Sequence, residues 1–343
     1  MRTSVVILNW NGLEYLKRFL GQVVKYSAGE GTAIYVADNG STDSSCEWVE
    51  ANFPEVGVLR LGKNYGFAGG YNRALDLIDS YYYMLLNSDI EVTEGWLDPL
   101  VRHLDNHKDV ASCQPVIRSF HKRVYFEHAG AAGGFIDKYG YPFCRGRIFS
   151  HVEQDKGQYA ESGDIFWSTG ACMLVRAEAW KNCGGLDDSF FAHMEEIDLC
   201  WRFHRYGYRV SVVTGPVVYH VGGGALKYNS PRKTYLNFRN SLFMLYRNLP
   251  EKDLNRVIFI RKVLDGAAAI MFFLKGQFCH SFAVLRAHID YYRNKALIRA
   301  HRREFSIYAE NSSRMILNKS VVFEFYIRRK KTFTAIVKES NLQ

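Results

Sequence analysis

No two cysteines of this chain are spaced C-x-x-C. The seven, Cys46, Cys113, Cys144, Cys172, Cys183, Cys200 and Cys279, are odd in number. That argues against a disulfide framework or a zinc knuckle and suits a reducing cytoplasm. No run of apolar, uncharged residues is long enough to span a bilayer; Ala267 to Leu274 comes closest and is too short. A strand pattern starts at about Ser4, so no signal peptide is expected before it. Internal repeats and low-complexity segments are also lacking. What is present is the composition of a globular chain: 343 residues, 48% hydrophobic and 23% charged. That length allows about two domains and a core large enough to need no staples. The 22 Tyr and 23 Phe suit a sugar-facing or interfacial surface and a core equally well.

The net charge of +9 is unevenly spread. Residues 231–343 hold 22 Lys and Arg against 8 Asp and Glu, a net +14, and residues 1–230 hold 22 against 27, a net −5. A block this basic implies an anionic partner such as phospholipid, a phosphorylated lipid or nucleic acid.

Thr3 to Leu8 is a continuous apolar run, the pattern of a central parallel strand. Leu13 to Val24 has helical spacing, and Ala33 to Ala37 reads as a second strand ending in the polar cluster Asp38 to Asp43. That cluster opens a helix through Val49. Val56 to Leu61 and Tyr82 to Leu86 read as further strands, separated by a glycine-rich loop over Asn64 to Gly70 and a helix over Tyr71 to Ile78. Strand and helix alternate with short turns, which predicts βαβ units on a parallel sheet. Val110 to Ile117 and Phe166 to Val175 predict strands, with loops and a hairpin over 119–165. A short helix over Ala177 to Lys181, a helix within Phe190 to Tyr206, and two strands, Tyr208 to Val213 and Val217 to Val221, follow. Long helices run from Pro231 to about Ala300, with the domain boundary near Tyr228 to Thr234.

Five groups of polar residues carry candidate chemistry. Asn87-Ser88-Asp89 ends a buried strand at the sheet edge where open α/β folds bind ligands, and an acid there can hold a divalent cation and, through it, phosphate. The plain alternative is a turn or helix cap. Asp38 is placed to accept bonds from a base or ribose, or to cap the next helix. Asn64 to Asn72, with Gly66 and Gly69, offers backbone N–H groups before a helix, which suits pyrophosphate, or simply turns the chain. Glu195, Glu196 and Asp198 crowd three carboxylates into four residues. One can serve as general base, its pKa raised by its neighbours; otherwise they form an acidic first helical turn. His220, in an apolar strand before Gly222-Gly223-Gly224, is either a core histidine or a ligand completing the Asp89 site.

Together these segments resemble the family 2 glycosyltransferases of the GT-A fold. Val5-Val-Ile-Leu-Asn-Trp-Asn-Gly12, Val36-Ala-Asp-Asn-Gly-Ser-Thr-Asp43, Asn64 to Asn72 and Leu85-Leu-Asn-Ser-Asp89 stand in the family's order and spacing. So do Thr169 to Arg176, Gly184 to Phe191, Glu195 to Arg202 and the later His220. The resemblance covers roughly residues 3–230 and is closest to the rhamnosyltransferase-like branch. It implies an α/β, Rossmann-like, mainly parallel sheet flanked by helices, in a catalytic domain over 1–230. A basic, aromatic-rich helical region over 231–343 would follow as a membrane-surface or oligomer contact. It also implies that Asp38 contacts the base, with Asn9 and Asn11 lining the same pocket. Asn87-Ser88-Asp89 takes the place of the family's Asp-x-Asp, so that Asp89, with His220, would bind Mg²⁺ or Mn²⁺ and the donor diphosphate. Asn87 brings an oxygen but no charge. Glu195-Glu196 matches the catalytic Glu-Asp pair, with Glu196 the favoured base and Glu195 the alternative. Asp198 would orient the site or bind acceptor.

The implied reaction moves a sugar from a nucleotide donor to a hydroxyl of a glycan or lipid-linked acceptor by one inverting displacement. The donor would be dTDP-rhamnose, or else a UDP-hexose or UDP-galactofuranose, and the setting bacterial envelope polysaccharide synthesis. Expected partners are an anionic inner leaflet and a second copy of the chain, but no nucleic acid. The expected location is the cytoplasm, at the inner face of the membrane. Three rivals compete: a sugar-1-phosphate nucleotidyltransferase, a nucleotide-sugar-binding protein without turnover, and a basic nucleic-acid-binding protein. The amino terminus lacks the first rival's glycine-rich signature. The third leaves the Glu195-Glu196-Asp198 cluster without a role.

Overall fold

The computed structural model describes residues 1–222, 230–304 and 315–342. In chain order the first half runs β1 (Thr3–Asn9), α1 (Leu13–Ser27), β2 (Thr32–Asp38), α2 (Ser45–Asn52), β3 (Gly57–Arg60), α3 (Gly66–Asp76), β4 (Tyr82–Asn87), β5 (Ile90–Glu91), α4 (Asp98–Asn106) and β6 (Val110–Ser119). Four short strands follow, β7 (Gly134–Asp137), β8 (Pro142–Cys144), β9 (Arg147–Ile148) and β10 (His151–Val152). Then come β11 (Gly163–Ile165), β12 (Cys172–Arg176), α5 (Ala177–Asn182), α6 (Glu195–Arg205) and β13 (Arg209–His220). The last part holds α7 (Pro231–Asn248), α8 (Glu251–Leu274), α9 (Phe278–Arg293), α10 (Lys295–Glu304), β14 (Ile316–Leu317), α11 (Val321–Tyr326) and α12 (Phe333–Val337).

The main sheet has the order β11-β13-β6-β12-β4-β1-β2-β3, with β5 paired to β13. β1 lies between β2 and β4, parallel to both, and β2 continues parallel to β3. β12 enters antiparallel between β4 and β6. The run Val5-Val6-Ile7 is apolar throughout because both faces of β1 are covered. Val6 points into one core cluster, and Val5 and Ile7 into the other. On α1, Leu16, Phe19, Leu20 and Val23 are the buried stripe. This is a mixed, largely parallel α/β sheet flanked by helices, with a helical C-terminal region.

Four differences from the sequence reading have local causes. The glycine-rich loop is already helical from Gly66, because Asn39 and the carbonyl of Phe191 hold that turn. Residues 119–165 form more than a hairpin: β7 to β10 build a second sheet, joined in parallel by β14 through the Ile316–Ile136 register. Of the run Phe166 to Val175 only Cys172 to Val175 is strand, within β12; before it, Trp167 turns inward and its indole N–H donates to the Phe135 carbonyl. The two strands expected over Tyr208 to Val221 are one, β13, interrupted by a register shift between Val212 and Val217. Gly223, Gly224 and Tyr228 lie outside the described residues.

The larger core cluster crosses from the sheet into the C-terminal region. Leu242, Phe243, Met244 and Leu245 of α7 share it with Tyr83, Leu85 and Met173 of the sheet, as do Val321, Phe333 and Ile336 further on. The seven cysteines are all free thiols, six of them buried.

Candidate active site

The carboxyl ends of β1, β2 and β4 bring three polar segments to one edge of the sheet. Asn9 is fully buried there. Its Nδ2 donates to Asp38 Oδ1 at 3.4 Å and to Ser41 Oγ at 3.2 Å. Its Oδ1 is buried without a partner among the described residues, beside Gly12, where a Cβ would collide with it. Asp38 Oδ2 accepts from the Ser41 N–H at 3.1 Å. Asp38 therefore braces the turn and lines the edge but does not cap the next helix, whose N-cap is Ser44. Asn11, at φ 51°, accepts from the Thr42 N–H at 2.7 Å and stands exposed at the rim. Ser88 approaches the same turn, its Oγ 3.3 Å from where a Gly12 Cβ would sit.

The expected pyrophosphate cradle over Asn64, Gly66 and Gly69 is not open. The Gly66 N–H donates to Asn64 Oδ1 at 2.8 Å. The next two, of Phe67 and Ala68, go to the Phe191 carbonyl at 2.7 and 3.3 Å. A helix start whose first donors are already used has little left for phosphate. Gly66 has φ +75° and a Cβ there would lie 2.5 Å from that carbonyl, so glycine is required by the docking. Gly69 is covered by Arg73 and Asp188, which pair at 2.9 Å.

Asp89 and His220 do meet. His220 Nε2 lies 3.2 Å from Asp89 Oδ1, and Nδ1 lies 3.2 Å from Glu127 Oε2, an ionic contact without hydrogen-bond alignment. Burial disfavours the imidazolium, but Asp89 and Glu127 on two sides outweigh it and raise His220 to about 10. Burial likewise resists ionisation of Glu127, yet His220 brings it down to about 2. As donors, the Asp89 carboxylate and the Asn87 carbonyl oxygen suit Mg²⁺ or Mn²⁺ in kind, and His220 would join them only after giving up its proton. Among the described residues no three His, Cys, Asp or Glu side chains gather as a ready metal cluster. The fit is therefore partial: the other ligands must come from substrate and water, and a cation competes with the His220 proton for Asp89.

The three carboxylates grouped by sequence are separated by the fold. Asp198 is fully buried and committed, so of its two expected roles, orienting the site and binding acceptor, the burial favours the first. Its Oδ2 accepts from Arg202 Nε at 2.9 Å and Arg247 Nη1 at 3.1 Å, and its Oδ1 from Asn248 Nδ2 at 2.6 Å. Glu195 is 3% exposed, and its Oε2 has no partner among the described residues. Burial, then the neighbouring Glu196, pushes its carboxyl well above the usual range. Glu196 is partly buried as a residue, its Oε2 buried and without a partner among the described residues, and burial lifts it to about 7. It stands against Gly170, two residues from the Cys172 that opens β12, while the Ala171 carbonyl accepts from the Asn87 N–H at 2.9 Å. Glu196 and Asn87-Ser88-Asp89 therefore share one edge of the sheet.

Three positioning residues were not among those singled out from the sequence. Asn39 Nδ2 donates to Gly66 O at 2.9 Å and its Oδ1 accepts from Tyr65 N–H at 3.0 Å, pinning α3 to β2. Asn240 of α7 donates to the carbonyls of Phe190, Ala192 and His193 at 3.0, 2.9 and 2.7 Å. It braces the loop that leads into Glu195 from a point outside the motif set. Glu127 lay in the stretch expected as loops. Asn39 alone could have been found, by its place in the polar cluster after β2.

The topology defines a mixed, largely parallel α/β fold of the Rossmann-like kind, with polar residues gathered at the carboxyl edge of its central strands. Residues 4–184 match the family "Glycosyl transferase family 2", and the chain belongs to it. It is similar to the N-acetylglucosaminyl-diphospho-decaprenol L-rhamnosyltransferase of Mycobacterium tuberculosis, 25% identical over 232 residues, 63% of this chain and 75% of that one. Among solved structures it is similar to Staphylococcus aureus TarS 1-349 in complex with UDP-GlcNAc, with a TM-score of 0.57, 16% identity and coverage of 89% of each chain. It is also similar to a mannosyltransferase from Pyrobaculum calidifontis in complex with GDP-Man and Mn²⁺, with a TM-score of 0.52, 13% identity and coverage of 89% of this chain and 84% of that one. The protein is a glycosyltransferase of the GT-A fold.

Proposed function

We propose that this glycosyltransferase inverts the anomeric carbon of a sugar carried on a nucleoside diphosphate. The donor we favour is dTDP-rhamnose, then a UDP-hexose or UDP-galactofuranose. The acceptor is a hydroxyl of a glycan or lipid-linked intermediate in bacterial polysaccharide synthesis, as the name of the mycobacterial relative suggests. The observation that carries the reading is the inequality of the two glutamates at the start of α6. Glu195 is buried and held protonated, whereas Glu196, one of whose oxygens is buried too, is partly exposed as a residue and poised near 7. A base must reach its substrate and titrate near the working pH, so Glu196 is assigned the role.

Glu196 takes the proton of the acceptor hydroxyl as its oxygen bonds to the anomeric carbon and the bond to the leaving phosphate breaks. Asn9, Asn11 and Asp38 receive the base and ribose. Asn87, Ser88, Asp89 and His220 would face the diphosphate, and Asp89 with His220, helped by the Asn87 oxygen, would hold Mg²⁺ or Mn²⁺, which when bound supplies charge stabilisation to the leaving group. Asp198 acts as a positioning residue through Arg202 and Arg247. Residues 1–230 are assigned to catalysis and 231–343 to contact with an anionic inner leaflet from the cytoplasmic side. Among the described residues no helix is long and apolar enough to cross a membrane.

Thermal-shift screening against dTDP, UDP and GDP sugars, with and without Mn²⁺, tests the reading. A metal-dependent rise with one nucleotide supports it through mass action and names the base. No rise with any of them, alongside binding to DNA or RNA, overturns it.

A further inference from the structure

α8 and α9 form an antiparallel hairpin closed by a ring contact between Phe273 and Phe278 at 5.0 Å. One stripe of α9, Ala283, Val284, Ala287 and Tyr291, is buried, and α9 packs on α7. The other stripe, Phe278, Phe282, Leu285, Ile289 and Tyr292, is exposed, with spacings of four and three that set it on one helical face. On α8, burial ends at Asp265, and no residue from Gly266 to Phe282 is buried. Yet Gly266 to Leu274 carries no charge and includes Ile270, Phe273 and Leu274, which are 63%, 56% and 78% exposed. With Phe259 and Val263, the hairpin shows on the order of 1,000 Å² of apolar side chain, against the few hundred a monomer normally leaves in water. The tip is not frayed: Lys275 N–H donates to Met271 O at 3.2 Å and Gln277 N–H to Phe272 O at 2.9 Å.

We infer that the α8–α9 hairpin lies in the plane of an anionic bilayer leaflet, its exposed stripe sunk at the headgroup boundary. The charges on the hairpin select the occupant. Arg256, Lys262, Lys275, Arg286 and Arg293 stand on the same two helices; Arg256 also pairs with Asp253 and Arg286 and Arg293 with Asp290, which leaves residues 251–293 a net +3 within a C-terminal region of +14. Anionic headgroups complement that excess, and the long basic side chains can reach them while their stems cover apolar surface. A second copy docked through the same face would set the same basic excess against itself. The uncharged stretch of α8 spans about 13 Å, less than half a hydrocarbon core, so the hairpin enters one leaflet and does not cross. This rests on the reading that the enzyme works at a membrane on a lipid-linked acceptor, and it names the element that makes the contact.

The test uses the full chain labelled with an environment-sensitive dye at Cys279, the exposed thiol at the start of α9. Vesicles of phosphatidylglycerol with phosphatidylethanolamine are compared with pure phosphatidylcholine, at low and high salt. The expected result is a blue shift and co-sedimentation with the anionic vesicles, weakened by salt. Phe282→Asp with Ile289→Asp should lower partitioning at least about tenfold while the melting temperature and the response to nucleotide sugar stay unchanged. A double variant that partitions like wild type refutes the hairpin but leaves the membrane reading. Wild type that ignores anionic vesicles, or binds neutral ones equally, refutes both. A lipid-free dimer that the double variant abolishes assigns the stripe to a second copy and also overturns the proposal. Nucleotide-sugar binding reports separately on the transferase reading.

Discussion

Asn240 offers the sharpest test of how the C-terminal region serves the site. The loop before Glu195 holds three non-glycine residues at positive φ, Phe191 at 64°, His193 at 72° and Met194 at 75°. Each costs about 1–2 kcal/mol, so the loop persists only because its surroundings hold it. Asn240 Nδ2 supplies three of those bonds. In Asn240→Ala the Phe190 carbonyl keeps its bonds from Ala192 N–H and Arg239, whereas the Ala192 and His193 carbonyls lose this donor. Two such losses cost about 2–3 kcal/mol, or roughly 5 °C in melting temperature for a chain of this size. Asn240→Asp is nearly isosteric but sets a carboxylate against three carbonyl oxygens, so it should be worse than alanine. Because the loop delivers Glu195 and Glu196, both variants should lose turnover, by about 10²-fold if the displacement is near 1 Å. Donor affinity should change far less, since Asp38 and Asp89 lie on other elements. Circular dichroism melts, nucleotide-release kinetics and donor titration read the three quantities. An aspartate variant as stable and active as wild type would refute the reasoning.

Other perturbations have equally definite signs. Glu196→Gln should cut turnover by about 10³-fold with donor binding intact, and it should remove the rise in activity with pH through about 7. Because the folded state binds that proton more tightly than the unfolded chain, native stability falls as pH rises from about 4.5 to about 7. The glutamine variant should therefore melt higher than wild type at alkaline pH and no higher at pH 4. Gly66→Ala should lower the melting temperature and turnover together, since its Cβ would sit against the Phe191 carbonyl in a left-handed backbone. Arg247→Met strips a cation from Asp187, at 2.7 Å, and Asp198, at 3.1 Å. It should cost about 3–5 kcal/mol in chemical denaturation, because two buried carboxylates lose a partner while little is gained by packing.

The sequence was read well where chemistry and local order coincide. Val5-Val6-Ile7 could only be a strand covered on both faces, and Asn9, Asp38 and Asn87 close their strands, so the sheet edge was legible from the chain. The family, too, followed from the order of the motifs. Three things were decided only by tertiary contact. Whether a helix-start amide is free depends on what docks against it, and the Phe191 carbonyl, 125 residues after Gly66, closed the cradle. Whether a carboxylate is a base or a strut depends on its partners: Asp198 and Glu196 are two residues apart, but Arg247 and Asn248 of α7 claim the first. The aromatic-basic pattern of α8 and α9 suited a core and a surface equally. Packing of α9 on α7 buried one stripe and left the other in the open, and that choice is set by neighbours far away in the sequence, which periodicity cannot report.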